Sequence, residues 1–95
     1  MQGGITYYIQ NGNATPISYD GITKEVVIPA TIEGYPVTDI GLIFQKTDVE
    51  KITIPGSITT ITPDAFASCK KLKVVVLSDG VKVIGAKAFQ YCSVL

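Results

Sequence analysis

The chain contains no histidine, so neither a Ser-His nor a Cys-His catalytic pair can form within its 95 residues. Its only cysteines are Cys69 and Cys92, and two thiolates without a histidine are a poor set of zinc ligands. No glycine-rich phosphate-binding loop is present in the sequence. These absences predict a protein that is not an enzyme and that carries no metal and no cofactor.

Arginine is also absent, because all eight basic residues are lysines, and eight acidic residues balance them to a formal net charge of zero. A nucleic-acid-binding protein normally has a basic face and arginine side chains that read bases or phosphates. The longest aliphatic run, residues 74–77, is far too short to cross a bilayer. We therefore expect no nucleic-acid binding and no membrane insertion of this segment.

What the sequence does contain is an internal repeat, in which residues 49–71 align with residues 72–94 at a constant offset. Eight aligned positions keep an apolar or small residue: Val49/Leu72, Ile52/Val75, Ile54/Leu77, Ile58/Val81, Ile61/Ile84, Ala65/Ala88, Phe66/Phe89 and Cys69/Cys92. A looser copy precedes them and lacks the cysteine. Its changing offset indicates an insertion around residues 31–36.

Each copy has the pattern of two short strands followed by a turn. Ile52 and Ile54 alternate with polar residues, residues 58–61 are β-branched, and residues 63–69 place apolar side chains on one side of a short helical or 3₁₀ turn. Such a unit buries its apolar side only against stacked neighbours, so the pattern predicts a mostly β solenoid. The predicted core consists of the repeat positions Ile52, Ile54, Ile58, Ile61, Phe66, Cys69, Val75, Leu77, Val81, Ile84, Phe89 and Cys92.

The segment before the repeats has a different pattern, in which two β-prone runs flank Asn11-Gly12-Asn13. Asn-Gly between such runs indicates a hairpin, which we interpret as a cap over the first coil. The predicted organisation is one continuous domain with a β cap at 1–24, an irregular first repeat at 25–48, a second repeat at 49–71 and a third at 72–95. Because the last residue opens a further copy, we expect a fragment of a longer array.

The two cysteines occupy the same inward column of neighbouring coils. Adjacent coils would bring their Cα atoms within the distance that a disulfide requires. A buried thiol beside Phe66 and Phe89 also behaves as a small hydrophobic side chain. We expect free, buried thiols, with a disulfide as the alternative.

The segment Ile52-Thr53-Ile54-Pro55, followed in phase by Ala65-Phe66-x-x-Cys69-x-x-Leu72, resembles the BspA-type leucine-rich repeat, and the next copy repeats the segment up to Leu95. The resemblance covers about residues 22–95. It implies an α/β leucine-rich-repeat solenoid in a secreted or cell-surface protein, although residues 1–4 show no signal peptide. It also implies adhesion or protein binding and no common catalytic residues.

Five residues are candidate partner contacts: Val27, Thr53 and Val76 in one outward column of the strands, Val74 beside them, and Tyr35 in the insertion. The predicted function is a non-catalytic protein-binding or adhesion module that contacts a host or extracellular-matrix protein. The alternative is a structural spacer or capping segment without a ligand of its own. The last coil has no visible cap, so we also expect end-to-end self-association through it.

Overall fold

The computed structural model describes residues 3–95, and its regular structure consists of strands and turns. There are nine strands among the described residues: β1 Ile5–Gln10, β2 Asn13–Tyr19, β3 Glu25–Val27, β4 Thr31–Ile32, β5 Tyr35–Pro36, β6 Lys51–Ile54, β7 Thr60–Ile61, β8 Val74–Leu77 and β9 Val83–Ile84. They form three stacked coils behind an N-terminal hairpin.

Strands β1 and β2 pair antiparallel, which confirms the predicted N-terminal hairpin. The two residues between them, Asn11 and Gly12, have φ angles of 53° and 78°, as a type I′ turn requires at both of its central positions. Ile5 and Ala14 of the hairpin are buried in the core. The hairpin therefore covers apolar side chains of the first coil.

The repeat appears in the structure as parallel strand pairing. Strands β3, β6 and β8 form one three-stranded sheet, in which Val26 pairs with Ile52 and Ile52 pairs with Val75. Strands β7 and β9 form a second parallel pair, in which Ile61 lies beside Ile84. Residues aligned between the second and third copies are thus equivalent in successive coils.

The predicted helical turn is not confirmed, because residues 63–68 form consecutive turns and no helix occurs among the described residues. Asp64 and Ser68 have φ angles of 65° and 64°. Their repeat partners Lys87 and Tyr91 have φ angles of 61° and 64°. A helix cannot continue through left-handed residues of this kind.

The hydrogen bonds of residues 63–68 explain why this segment forms turns and not the predicted helical turn. The amides of Asp64, Phe66 and Ser68 donate to carbonyl oxygens of the third coil at 3.1, 2.8 and 2.7 Å. Between them, the amides of Ala65 and Ala67 donate to carbonyls of the preceding turn in their own coil. Alternate amides therefore donate to the neighbouring coil, whereas in a helix these amides would all donate to carbonyls of the same segment.

The insertion at residues 31–36 forms a separate small hairpin of β4 and β5. Its turn residues Glu33 and Gly34 have φ angles of 52° and 84°. Residues 37–40 contain no strand. The first coil therefore contributes one strand, β3, to the parallel sheets, whereas the second and third coils contribute two each. The insertion thus replaces part of the regular coil.

A column of aromatic rings runs through the core from the cap to the third coil. The ring centroid of Tyr19 lies 5.1 Å from that of Phe44, Phe44 lies 5.5 Å from Phe66, and Phe66 lies 5.3 Å from Phe89. The rings of Phe66 and Phe89 are parallel within 1°. Tyr19 also donates its hydroxyl to the carbonyl of Thr23, which ties the cap to the start of the first coil.

Burial of the predicted core residues changes from the second coil to the third. Those of the second coil are fully buried: Ile52, Ile54, Ile58, Ile61, Phe66 and Cys69. In the third coil some are only partly buried, namely Val75, Val81, Phe89 and Cys92. The prediction that Leu77 and Ile84 lie in the core is wrong: they are 39% and 51% exposed, because no described coil lies beyond them.

Candidate interaction surface

The outward side of the sheet formed by β3, β6 and β8 is the first exposed surface of interest; we call it the outer sheet face. Val27, Thr53 and Val76 lie side by side on it in the strand register. Val27 and Val76 are 65% and 42% exposed, and Thr53 is half-buried. Since side chains alternate along a strand, these residues point away from the core that Ile52 occupies.

A second row on the outer sheet face is formed by Glu25, Lys51 and Val74, which are also in register. Val74 is 44% exposed. Adjacent strands in a sheet are about 4.8 Å apart, so each row forms a short continuous line of side chains. One row is thus apolar except for a threonine, and the other combines two opposite charges with a valine.

Tyr35, the fifth candidate contact residue, lies elsewhere. It belongs to β5 in a separate two-stranded sheet, and β5 lies beside β2 of the cap. Its side chain is 42% exposed. The structure therefore brings together four of the five candidates and leaves Tyr35 on the small hairpin.

A second exposed apolar surface lies on the uncovered side of the third coil; we call it the open end face. Its exposed apolar residues, with exposed fractions from 39% to 53%, are Leu77, Ile84 and Leu95, whose counterparts in the second coil are buried. The sequence prediction of an uncapped last coil concerned this face. The sequence prediction did not include the exposure of Leu77 and Ile84. The signal that could have indicated this exposure is that neither residue has a counterpart in a further copy of the repeat within the sequence.

Both cysteines are free thiols, and each contacts the coil before its own. The Cys69 Sγ atom donates to the carbonyl of Phe44 at 2.8 Å, and the Cys92 Sγ atom donates to the carbonyl of Phe66 at 3.1 Å. In the first coil Thr47 takes the cysteine position, and its hydroxyl donates to the Phe44 carbonyl at 2.8 Å. The cysteines therefore bridge successive coils, and burial raises the pKa of both thiols.

We expect both thiols to react slowly with iodoacetamide at pH 8. The thiolate is the reactive form, and a raised pKa leaves a smaller share of each thiol deprotonated at that pH. Cys92 is partly exposed and should react first, whereas the fully buried Cys69 should react only when its coil opens locally. Timed labelling followed by peptide mass spectrometry measures both rates. Guanidinium-unfolded protein is the control, and equal rates for the two thiols in the folded protein would contradict this expectation.

Within residues 3–95 there is no group of three or more histidine, cysteine, aspartate or glutamate side chains that could hold a metal ion. A surface depression of about 370 Å³ is lined by Lys46, Thr47, Asp48, Ser68 and Lys70, which include a single carboxylate. General acid-base chemistry with paired carboxylates is therefore not supported at this depression. In the same described range, no helix has the length and apolar character needed to cross a membrane.

The profile described as "BspA type Leucine rich repeat region (6 copies)" matches residues 37–95. This chain belongs to the BspA-type leucine-rich-repeat family. The match covers the second and third repeats and the part of the first repeat that follows the insertion. No curated protein gives a significant match.

Solved bacterial leucine-rich-repeat proteins have the same fold. The T. pallidum leucine rich repeat protein superimposes with a TM-score of 0.85 at 27% identity, covering 100% of this chain and 46% of that one. A leucine-rich repeat protein from Bacteroides capillosus ATCC 29799 gives 0.74 at 35% identity, with 88% and 68% covered. A leucine rich cell surface protein from Faecalibacterium prausnitzii A2-165 gives 0.76 at 32% identity, with 100% and 28% covered. The BspA-type chain thus spans about half or less of two of these proteins.

Proposed function

We propose that this BspA-type chain is a non-catalytic protein-binding module of a bacterial cell-surface or secreted protein. The observation that carries the proposal is the outer sheet face, where Val27, Thr53 and Val76 form an exposed row in register. Leucine-rich-repeat proteins use extended surfaces of this kind for binding. The cell-surface description of the Faecalibacterium prausnitzii protein supports the location.

The outer sheet face has physical properties that suit a protein partner. Its strands are held by ladder hydrogen bonds on a buried core, so little backbone entropy is lost when a partner binds. Val27 and Val76 are β-branched and have few rotamers to lose. Glu25 and Lys51 lie beside this apolar row and can set the orientation of a partner through their charges.

The proposed partner is a protein of the host or of the extracellular matrix. Binding is measured by biolayer interferometry with the chain immobilised and with fibronectin, laminin and type I collagen as separate analytes. The test variant is Val27→Lys combined with Val76→Lys, which puts two solvated charges into the apolar row. If each valine contributes about 1 kcal/mol or more at the centre of an interface, affinity falls at least about tenfold.

The matched control is Tyr8→Lys combined with Ile17→Lys, which adds the same two charges at residues that are 54% and 53% exposed on the cap strands β1 and β2. This variant is expected to bind as the unaltered chain does. Equal affinity of the double variant and the control variant would exclude the outer sheet face as the binding surface. An unaltered chain that binds none of the three analytes would favour the alternative, a structural spacer without its own ligand.

A further inference from the structure

The surface depression of about 370 Å³ lies between the first and second coils, apart from the outer sheet face; we call it the turn pocket. Its lining residues belong to the turns that end these two coils: Lys46, Thr47, Asp48, Ser68 and Lys70. The outer sheet face lies on strands β3, β6 and β8, so the two surfaces share no residue. The third coil stacks on the second, and the turn pocket therefore lies within the stack of coils.

A difference in length between two turns explains the turn pocket. Thr47 and Val49 of the first coil are equivalent to Cys69 and Leu72 of the second, because the paired amides and buried side chains correspond. One residue separates Thr47 from Val49, whereas two lysines separate Cys69 from Leu72. The two turns therefore cannot stack residue on residue, and a gap remains between them. The third coil also has two residues here, so this mismatch occurs at one boundary of the repeats.

Backbone hydrogen bonds hold both walls of the turn pocket. The Lys46 amide donates to the Ala67 carbonyl at 3.0 Å, and the Ser68 amide donates to the Gln90 carbonyl at 2.7 Å. Lys46 and Ser68 have φ angles of 60° and 64°, so they have the same left-handed conformation at equivalent places in their coils. Because these bonds already fix the walls, little backbone entropy is lost when a ligand binds.

The side chains of the turn pocket are polar and available. Thr47 and Ser68 are half-buried, whereas Lys46, Asp48 and Lys70 are exposed, so the hydroxyl residues lie deeper than the charged ones. Two lysines and one aspartate give the pocket a net positive charge. Among residues 3–95, no hydrogen bond uses the charged groups of the three rim residues or the Ser68 hydroxyl. These groups can therefore bind a ligand without first breaking a contact.

The mixture of groups favours one class of ligand. Lysine ammonium groups bind a carboxylate through charge-assisted hydrogen bonds, and the Asp48 carboxylate accepts hydrogen bonds from hydroxyls. A neutral sugar would leave both lysines without a charged partner. A sulfate ion has no hydroxyl to donate to Asp48 and is repelled by its charge. The volume is near the lower end of the range for small-molecule sites, about 300–1,000 Å³, which suits a single ring.

We infer that the turn pocket binds one acidic sugar unit, a ring that carries a carboxylate and several hydroxyls. Lys46 and Lys70 bind the carboxylate of the ring, and Asp48 accepts hydrogen bonds from its hydroxyls. Thr47 and Ser68 supply hydroxyl groups at the base of the pocket. Uronic acids and sialic acids share this chemistry. The chain then has a glycan site on its turns, in addition to the protein-binding surface proposed on its strands.

The test is a titration of the ¹⁵N-labelled full chain, followed by amide chemical shifts. The separate ligands are sodium glucuronate, N-acetylneuraminate, methyl glucoside and sodium sulfate. At least one of the two acidic sugars is expected to shift the amides of residues 46–48 and 68–70. Its affinity should exceed that of methyl glucoside about tenfold, because two exposed charge contacts are added. In 1 M NaCl this difference should disappear, because salt screens the charges. The acid that binds more tightly identifies the sugar class.

The test variant is Lys46→Gln combined with Lys70→Gln, which removes both positive charges and keeps polar side chains. It is expected to bind the acidic sugars no more tightly than methyl glucoside. The matched control is Lys24→Gln combined with Lys82→Gln, which removes two exposed lysines outside the turn pocket. This control should retain the affinity of the unaltered chain. The amide spectrum of each variant without ligand reports whether its fold is intact.

Four results would overturn the inference. Absence of shifts at residues 46–48 and 68–70 with both acidic sugars would show that the turn pocket is not a sugar site. Equal affinities for the acidic sugars and methyl glucoside would show that the lysines do not select the ligand. Sulfate binding as tightly at the same amides would indicate a general anion site. Equal losses in the test variant and its control would indicate attraction to the overall charge of the chain.

Discussion

Phe66→Ala is expected to lower the free energy of unfolding by about 3–5 kcal/mol. Phe66 is fully buried, and its ring lies between those of Phe44 and Phe89 at centroid distances of 5.5 and 5.3 Å. Its removal leaves a cavity in the middle of the aromatic column, and both neighbouring rings lose a stacking partner. Urea denaturation followed by circular dichroism measures the change in the transition midpoint.

The matched control is Phe89→Ala, which removes the same side chain from the third coil. Phe89 is only partly buried, so less apolar surface is lost and the surroundings can relax toward solvent. We expect a clearly smaller loss of stability for this variant than for Phe66→Ala. Equal losses for the two variants would mean that the third coil is as well covered as the second, contrary to the exposure of Leu77 and Ile84.

Gly85→Ala is expected to cost about 1–3 kcal/mol or to separate the second and third coils locally. A Cβ atom built on Gly85 would lie 2.5 Å from the Pro63 nitrogen and 2.6 Å from the Ile61 carbonyl oxygen. These are backbone atoms of the neighbouring coil, so they cannot move aside as a flexible side chain can. The Gly85 amide also donates to the Ile61 carbonyl at 2.8 Å, and this bond would have to lengthen.

Gly56→Ala serves as the control for this prediction. A Cβ atom on Gly56 would meet the Gly80 nitrogen at 3.4 Å, which is close to an ordinary van der Waals contact. Its cost should therefore be much smaller than that of Gly85→Ala in the same urea titration. A similar shift in both variants would show that the effect comes from the loss of glycine itself and not from the close approach of two coils.

The parts of the fold that follow from periodicity could be predicted from the sequence. The constant offset between the second and third repeats pairs Ile52 with Val75 and stacks Phe66 on Phe89, as the register and the rings show. Likewise, alternation along the strands predicts that Val27, Thr53 and Val76 share one outward row. Repetition makes these inferences reliable, because one local pattern specifies both the coil and its contact with the next coil.

The remaining features depend on contacts that no local pattern shows. The spacing of Ala65, Phe66 and Cys69 suits a helical turn as well as the observed turns, and the choice depends on carbonyls of the third coil that accept alternate amides. Leu77 has the same place in the repeat as Ile54, and it is exposed because no coil within residues 3–95 covers it. The position of Tyr35 depends on the packing of β5 against β2, which the insertion sequence does not encode by itself.

The aromatic column begins at Tyr19 in the cap and ends at Phe89 beside the open end face. Each coil contacts only its neighbours, so opening of the structure proceeds coil by coil from an unprotected side. The hairpin covers the first coil, and among residues 3–95 the third coil has the most exposed apolar side chains at repeat positions. Within residues 3–95, local opening is therefore expected to start at the third coil and to proceed toward the hairpin. A mechanical pull on Leu95 would separate the coils in reverse sequence order.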